Sequence, residues 1–177
     1  MVYFLDAAHC LHNAIAGYGW IKRGATVELL TNSGRNRLNI LGAYSPDRGD
    51  LISLSGTASC DAELVQQLLV GLRAAHPGEV PLLVILDNVR YQHAASVKQR
   101  AEQLGIELLY LPPYSPNLNL IERFWKFLKK KVLRNRYYAR FEQFVAAIEQ
   151  FLGNVSAYAS ELKSLMTENF HLFSASR

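Results

Sequence analysis

The chain has 177 residues but only two cysteines, Cys10 and Cys60. Two are too few for a disulfide framework, so both read as buried thiols in a reducing compartment. Long apolar runs are also missing. The longest, such as residues 82–86, fall far short of the roughly 20 residues that cross a bilayer. No basic segment followed by a long apolar one opens the chain, which speaks against a secretory signal. There is no internal repeat, no low-complexity stretch and no long linker. These absences point to one soluble, cytoplasmic domain over residues 1–177, with no membrane partner. What is present is apolar bulk: 50% of the residues, enough at this length to build a sizeable core.

Negative charge is missing from one stretch. Between Arg123 and Arg140 there are eight basic residues (Arg123, Lys126, Lys129, Lys130, Lys131, Arg134, Arg136, Arg140) and no acid. The net charge is +4 overall, so the rest of the chain holds 11 basic residues against 15 acidic ones. The positive charge is therefore local, as a phosphate-facing patch requires. A solvated helix face that keeps the protein soluble is the competing reading.

Residues 2–5 form a short apolar run and read as a buried strand. Residues 18–21, 26–30, 37–44 and 51–57 mix β-branched or aromatic residues with turn signals at Asn32-Ser33-Gly34 and Ser45-Pro46-Asp47, which predicts an antiparallel meander. Leu64, Leu68 and Leu72 share one face of a helix over 61–75, with Asp61 as its cap. Residues 82–86 predict a central strand, 89–104 a helix ending at Gly105, and 106–111 a strand stopped by Pro112-Pro113. Helices follow over about 117–133 and 140–152, and the tail from Gly153 is partly helical. Hairpins first and crossovers later imply an α/β fold: a mixed sheet with helices on its faces, in the order of a ribonuclease-H-like domain.

Most of the acids have bland roles. Asp47 and Asp50 sit in a turn, Asp61 caps a helix, and Glu63, Glu102, Glu142, Glu149 and Glu161 lie on solvent faces. Asp6 and Asp87 differ, because each is a lone acid directly after an apolar strand run. Sites in sheets with parallel strands gather at such strand ends, although an Asp that caps a turn would look the same. Glu122 lies just off the stripe formed by Leu118, Ile121, Trp125, Leu128 and Val132, in line with Lys126 and Lys129. Alone, it reads equally as a capping-box partner of Asn119 or as a surface ion pair with Lys126. His9 and His12 have zinc-like spacing but no partners to complete a site.

The context of these acids resembles a known family. The segment from Leu111 through Pro-Pro-Tyr-Ser-Pro-Asn-Leu-Asn-Leu-Ile to Glu122-Arg-Phe-Trp closely resembles the third-carboxylate segment of the mariner-type DDE transposase superfamily, in its bacterial insertion-sequence branch. Val84-Ile-Leu-Asp87-Asn88-Val-Arg-Tyr-Gln-His93 resembles the second, and Phe4-Leu-Asp6-Ala-Ala-His9 the first. The 34 residues between Asp87 and Glu122 fit that branch. Leu120 stands where many relatives carry Pro.

The resemblance implies a ribonuclease-H-like, five-stranded mixed sheet with helices on both faces. It also implies two Mg²⁺ or Mn²⁺ ions held by Asp6, Asp87 and Glu122, hard oxygen donors suited to phosphoryl transfer. Asn88 and His93 would support them; for His93 a role at the scissile phosphate and a structural hydrogen bond are both open. Arg123, Lys126, Lys129, Lys130, Lys131, Arg134 and Arg136 would hold DNA, as transposon ends and target. A homodimer is expected. Full-length relatives carry an N-terminal helix-turn-helix region, whereas the first strand here begins at Val2. That region is therefore expected to be absent, and a separately encoded helix-turn-helix protein is an expected partner. Of the aromatics near these segments, Trp20, Tyr114 and Trp125, the last reads as core. Two rival functions share the pattern: a ribonuclease-H-like nuclease without strand transfer, and an inactive DNA-binding remnant.

Overall fold

The computed structural model describes residues 1–166 apart from Val27, Ser33, Tyr114, Pro116 and Asn117. The elements run β1 (Val2–Leu11), β2 (Arg37–Ser45), β3 (Asp50–Gly56), α1 (Ala62–Ala75), β4 (Leu82–Leu86), α2 (Ala95–Gln103), β5 (Ile106–Tyr110), α3 (Ile121–Leu128), α4 (Phe141–Leu152) and α5 (Ala159–Leu165). Short 3-10 turns at Arg90–His93 and Val155–Tyr158 precede α2 and α5, and a π-helical turn, Lys129–Leu133, prolongs α3. No helix among the described residues is long and apolar enough to cross a membrane.

The five strands form one mixed sheet in the order β3-β2-β1-β4-β5. β1–β2 and β2–β3 are antiparallel, whereas β1–β4 and β4–β5 are parallel. The first three strands are the expected meander. The later two are added through helical crossovers, which parallel neighbours require.

Successive strand residues point to opposite faces, and the core divides accordingly. Tyr3, Leu5, Leu41, Ala43, Leu82, Val84 and Leu86 face α1 and α2. Phe4, Ala8, Cys10, Leu38, Ile40 and Tyr44 face α3, α4 and α5. Helices thus cover both faces, as expected. Asp61 caps α1 through a 2.9 Å bond from the Leu64 N–H.

Four expectations need correction. Residues 18–21 are not strand, and neither are the described residues of 26–30; both lie in a 25-residue connection between β1 and β2. Their β-forming side chains find no partner strand, and Tyr18 and Trp20 stand fully in solvent. The first strand does not stop at Leu5 but runs on to Leu11, held by pairing with β2. The helix over 89–104 is divided into a 3-10 turn and α2. The third-carboxylate helix begins at Ile121, and the expected start at Asn117 lies outside the described residues.

Candidate active site

Asp6 belongs to β1, opposite Gly42 of β2. The parallel ladder between β1 and β4 ends at the pair Leu5–Leu86, so Asp6 and Asp87 are the next residues on two neighbouring strands. Asp6 shares the parity of Phe4 and Ala8, and Asp87 continues the parity of Leu83 and Ile85. The same alternation thus turns both acids toward the α3 face of the sheet. Glu122, in the first turn of α3, comes to that face from above.

All three pairs of these carboxylates interact through their charges. Burial pushes the Asp6 carboxyl up to about 7, and the charges of Asp87 and Glu122 add to the rise, against the lowering effect of the Ala7 N–H. Burial also raises Glu122, with Asp87 adding to it, while Lys126 acts the other way. The Lys126 ammonium is 4.0 Å from Glu122 and largely exposed, too solvated to neutralise the cluster.

Asn119 ties the site together. It is 1% exposed, and its amide donates to the Leu5 carbonyl at 3.2 Å and to Asp87 Oδ1 at 3.1 Å. One side chain therefore joins β1, the end of β4 and the entry to α3. The capping box foreseen for Asn119 and Glu122 is not made: no side chain caps α3, and only the backbone bond Glu122 N–H to Asn119 carbonyl is present. Trp125 is the second residue that sequence reasoning under-used. Its indole N–H faces the Asp6 carboxylate without completing a hydrogen bond. The ring has room because position 42 is glycine; a Cβ there would lie 2.8 Å from it. A glycine opposite the first acid is the signal that could have revealed this.

Buried side-chain polar atoms normally find partners. Among the described residues the exceptions are Gln92, His93, Asn119, Trp125 and Ser45. Only Ser45 lies away from the turn after Asp87 and the segment around Glu122. His93 stacks flat on Tyr110 (3.9 Å between centroids), with its Nε2 buried and unpaired, and Asn88 is exposed.

The donor set fits a hard divalent cation. It is three carboxylates in mutual repulsion, with no thiol or imidazole among them. As the side chains stand, no three His, Cys, Asp or Glu among the described residues form a ready cage, so the carboxylates would have to draw together on an ion. The zinc reading stays rejected: His9 bonds Asn39 at 2.7 Å and His12 bonds the Tyr138 carbonyl at 2.7 Å. Cys10 is a buried thiol, its pKa pushed up to about 11 by desolvation.

The basic stretch divides by role. Lys131 pairs with Glu161 at 2.7 Å and lies over the rings of Phe127 and Tyr158. Arg123 donates to the Leu165 carbonyl at 3.2 Å. Lys129 is half-buried, Arg134 leans on Tyr18, and Lys126, Lys130 and Arg136 are exposed. Arg123, Lys126 and Lys130 line one wall of a groove of about 560 Å³ between α3 and α5.

A mixed sheet of this order, with two parallel strands added to an antiparallel meander and helices on both faces, is a ribonuclease-H-like fold. Residues 1–145 match the model of the DDE superfamily endonucleases, and the chain belongs to that family. Among curated relatives, the insertion element IS630 uncharacterized 39 kDa protein of Shigella sonnei is 23% identical over 158 residues, covering 89% of this chain and 46% of that protein. The uncharacterized protein y4pE/y4sA of Sinorhizobium fredii is 29% identical over 106 residues, covering 60% of this chain and 76% of that one. The chain thus spans about half the length of the Shigella relative.

Among solved structures, the Mos1 mariner paired end complex with Mn superposes with a TM-score of 0.68 at 14% identity, over 93% of this chain and 53% of that one. The catalytic domain of Mos1 mariner transposase gives 0.60 at 13% identity, over 93% and 78%. The catalytic core domain of BIV integrase gives 0.50 at 16%, over 97% and 86%. At these identities the likeness is one of fold, and the family read from the motifs is borne out.

Proposed function

We propose that this chain is the catalytic domain of a transposase that cuts DNA and joins the cut 3′ end to a target, using Asp6, Asp87 and Glu122. The observation that carries the reading is the convergence of those three acids on one face of the sheet in a DDE superfamily endonuclease. The three carboxylates would hold two Mg²⁺ or Mn²⁺ ions, which supply Lewis-acid stabilisation of an in-line displacement at phosphorus. Asn119 orients the Asp87 carboxylate. Trp125 and the surrounding core exclude water from one side of Asp6. Asp6 must give up its proton before it can ligate. His93 and Asn88 stand in the turn beyond Asp87 and support the phosphate side of the site. The exposed lysines of α3 hold the DNA backbone near the acids, a contact that gives affinity without sequence information. Joining two transposon ends calls for two copies, hence a homodimer, and a separately encoded helix-turn-helix protein is a fitting partner for reading the ends.

The test is plasmid nicking in Mn²⁺ by the wild-type chain and by Asp87→Ala. Nicking by the wild type alone supports the site, and equal background from both removes it. Transfer of a labelled 3′ end into plasmid separates a transposase from a nuclease of the same fold.

A further inference from the structure

The 25 residues between β1 and β2 form an arm with a built base and an exposed tip. At the base, His12 Nε2 and the Asn32 amide both donate to the Tyr138 carbonyl, at 2.7 and 2.8 Å, and the His12 ring packs near those of Phe141 and Phe144. Asn135 holds the next part. Its N–H donates to the Ile15 carbonyl at 2.8 Å, and its side chain accepts from the Gly17 N–H at 2.7 Å. Asn135 takes the left-handed conformation to do so (φ 55°), a backbone state that asparagine tolerates better than most residues. Gly17 is required at its place, because a Cβ there would lie 2.5 Å from the Arg134 side chain. Arg134 passes over it and ends 5.9 Å from the centre of the Tyr18 ring.

Beyond this base the side chains turn outward. Tyr18 and Trp20 are 97% and 105% exposed, and Ile21 and Leu30 are also open to solvent. Residues 12–37 carry Lys22, Arg23, Arg35 and Arg37 against the single acid Glu28. Large aromatics in solvent, interleaved with cations, are the composition of a stacking platform for unpaired nucleic-acid bases, and the Arg134–Tyr18 pair already has cation–π form. The charge makes nucleic acid the fitting occupant.

The arm is fixed to the same element as the candidate active site. Arg134 and Asn135 directly follow the helical stretch Ile121–Leu133, which carries Glu122 in its first turn. We propose that Tyr18 and Trp20 stack on unpaired bases of the DNA that the carboxylates receive. This rests on the reading of those carboxylates as a DNA-cutting site and adds to it a second contact with the substrate.

The two tryptophans make the test direct, because Trp20 is exposed and Trp125 is 5% exposed. Metal-free full chain is titrated with a labelled duplex carrying a short unpaired stretch beside a nick, and with its fully paired counterpart. Labelled-DNA anisotropy reads binding, and iodide quenching reads Trp20, with Trp20→Phe as the blank. Expected are loss of iodide access at Trp20 on the unpaired DNA, and a roughly tenfold affinity loss for that DNA in Trp20→Ala. The loss on paired DNA should be small. The proposal is overturned if DNA binds while Trp20 stays open to iodide, or if Trp20→Ala binds unpaired DNA within twofold of wild type. Protection of Trp20 by raised protein concentration without DNA also overturns it and assigns the tip to contact between copies. In each of these cases the carboxylate reading stands or falls separately, on the Asp87→Ala comparison. Failure of the metal-free chain to bind either DNA also overturns the proposal, and the carboxylate reading is then decided by nicking in Mn²⁺.

Discussion

The two faces of the sheet are built from the same strands and do opposite things. The face under α1 and α2 is packed with Leu68, Leu69, Leu72 and their strand partners, and its buried pair, Tyr3 and His76, is satisfied at 2.6 Å. The face under α3 is equally well filled toward α4, but at one end it holds three carboxylates and the unpaired polar atoms of Asn119 and Trp125. An unpaired buried group costs about 1–3 kcal/mol, and a desolvated carboxylate costs more. What separates the faces is the gathering of these three carboxylates on the α3 side, which marks that face as the one for the proposed chemistry and the other as the one for packing.

The largest effects should separate the faces cleanly. Asp6→Asn removes a carboxylate and a buried charge together, with little change of shape. Nicking should fall by roughly a thousandfold, the scale of losing one group that stabilises transition-state charge. The melting temperature of the metal-free protein at pH 7.5 should rise. Leu69→Ala on the other face should cost about 2–5 kcal/mol in urea unfolding and leave nicking per folded molecule nearly unchanged. Parallel activity and unfolding measurements check both. Equal loss of activity from the two variants would erase the distinction.

A pH series tests the same contrast on Asp6 alone. Its folded carboxyl titrates at about 7, against an ordinary value of 3.8. Between those values the folded chain keeps a proton that the unfolded chain has lost, so metal-free stability should fall as pH rises from about 4 to 7. The fall is at most on the order of 4 kcal/mol. Added Mn²⁺ competes with that proton, so the stabilisation it gives should grow over the same range. Thermal melts at intervals from pH 5 to 8, with Asp6→Asn as reference, measure both slopes. A metal-free slope identical in wild type and Asp6→Asn would show that Asp6 is not the group involved.

Much of this was legible in the sequence, for a physical reason in each case. Residues 82–86 are a continuous apolar run because that strand is central and covered on both faces, and Asp61 announces α1 because a cap needs an oxygen there. The extension of β1 beyond Leu5 is not legible locally: Asp6-Ala-Ala-His lacks an apolar alternation, and its pairing with β2 depends on partners 30 to 36 residues away. Residues 18–21 and the described residues of 26–30 have strand-forming side chains but no strand to pair with, and propensity is blind to that. A capping box is one of the readings open for Asn119 because caps are local, whereas its partners in the structure, Leu5 and Asp87, are distant in sequence. Glu122 depended on the motif around it, since nothing local distinguishes a ligand from a surface acid at that spacing.

Two glycines sharpen the contrast further, with opposite signs. Gly42 has no room: a Cβ would meet the Trp125 ring at 2.8 Å. Gly42→Ala should cost about 1–3 kcal/mol by overpacking, and it should also reduce nicking by moving Trp125 against Asp6. Gly71 lies within α1, where a Cβ would meet only Ile52 at 3.8 Å. Gly71→Ala should stabilise by up to about 1 kcal/mol through helix propensity and leave activity alone. Urea midpoints of the two variants read the signs, and a stabilising Gly42→Ala would contradict the packing described for Trp125.

The smallest effect lies where the chemical face meets solvent. Lys126 on α3 and Lys130 on the π-helical turn after it are exposed beside the groove, while Lys131 is engaged with Glu161 and two rings. The three neighbouring lysines are therefore not equivalent. Lys126→Gln or Lys130→Gln should lower the slope of log affinity for DNA against log salt by about 0.9 each if each contacts one phosphate, with no change in thermal stability. Lys131→Gln should instead lower stability by less than about 1 kcal/mol, the scale of a partly exposed ion pair with cation–π support, and leave the salt slope nearly as it was. A filter-binding salt series beside thermal melts distinguishes them. If all three variants shift the slope alike, the basic stretch is a diffuse field and not a set of placed contacts. If none does, the DNA path runs elsewhere, and the carboxylate face would have to receive its substrate from the side of the arm.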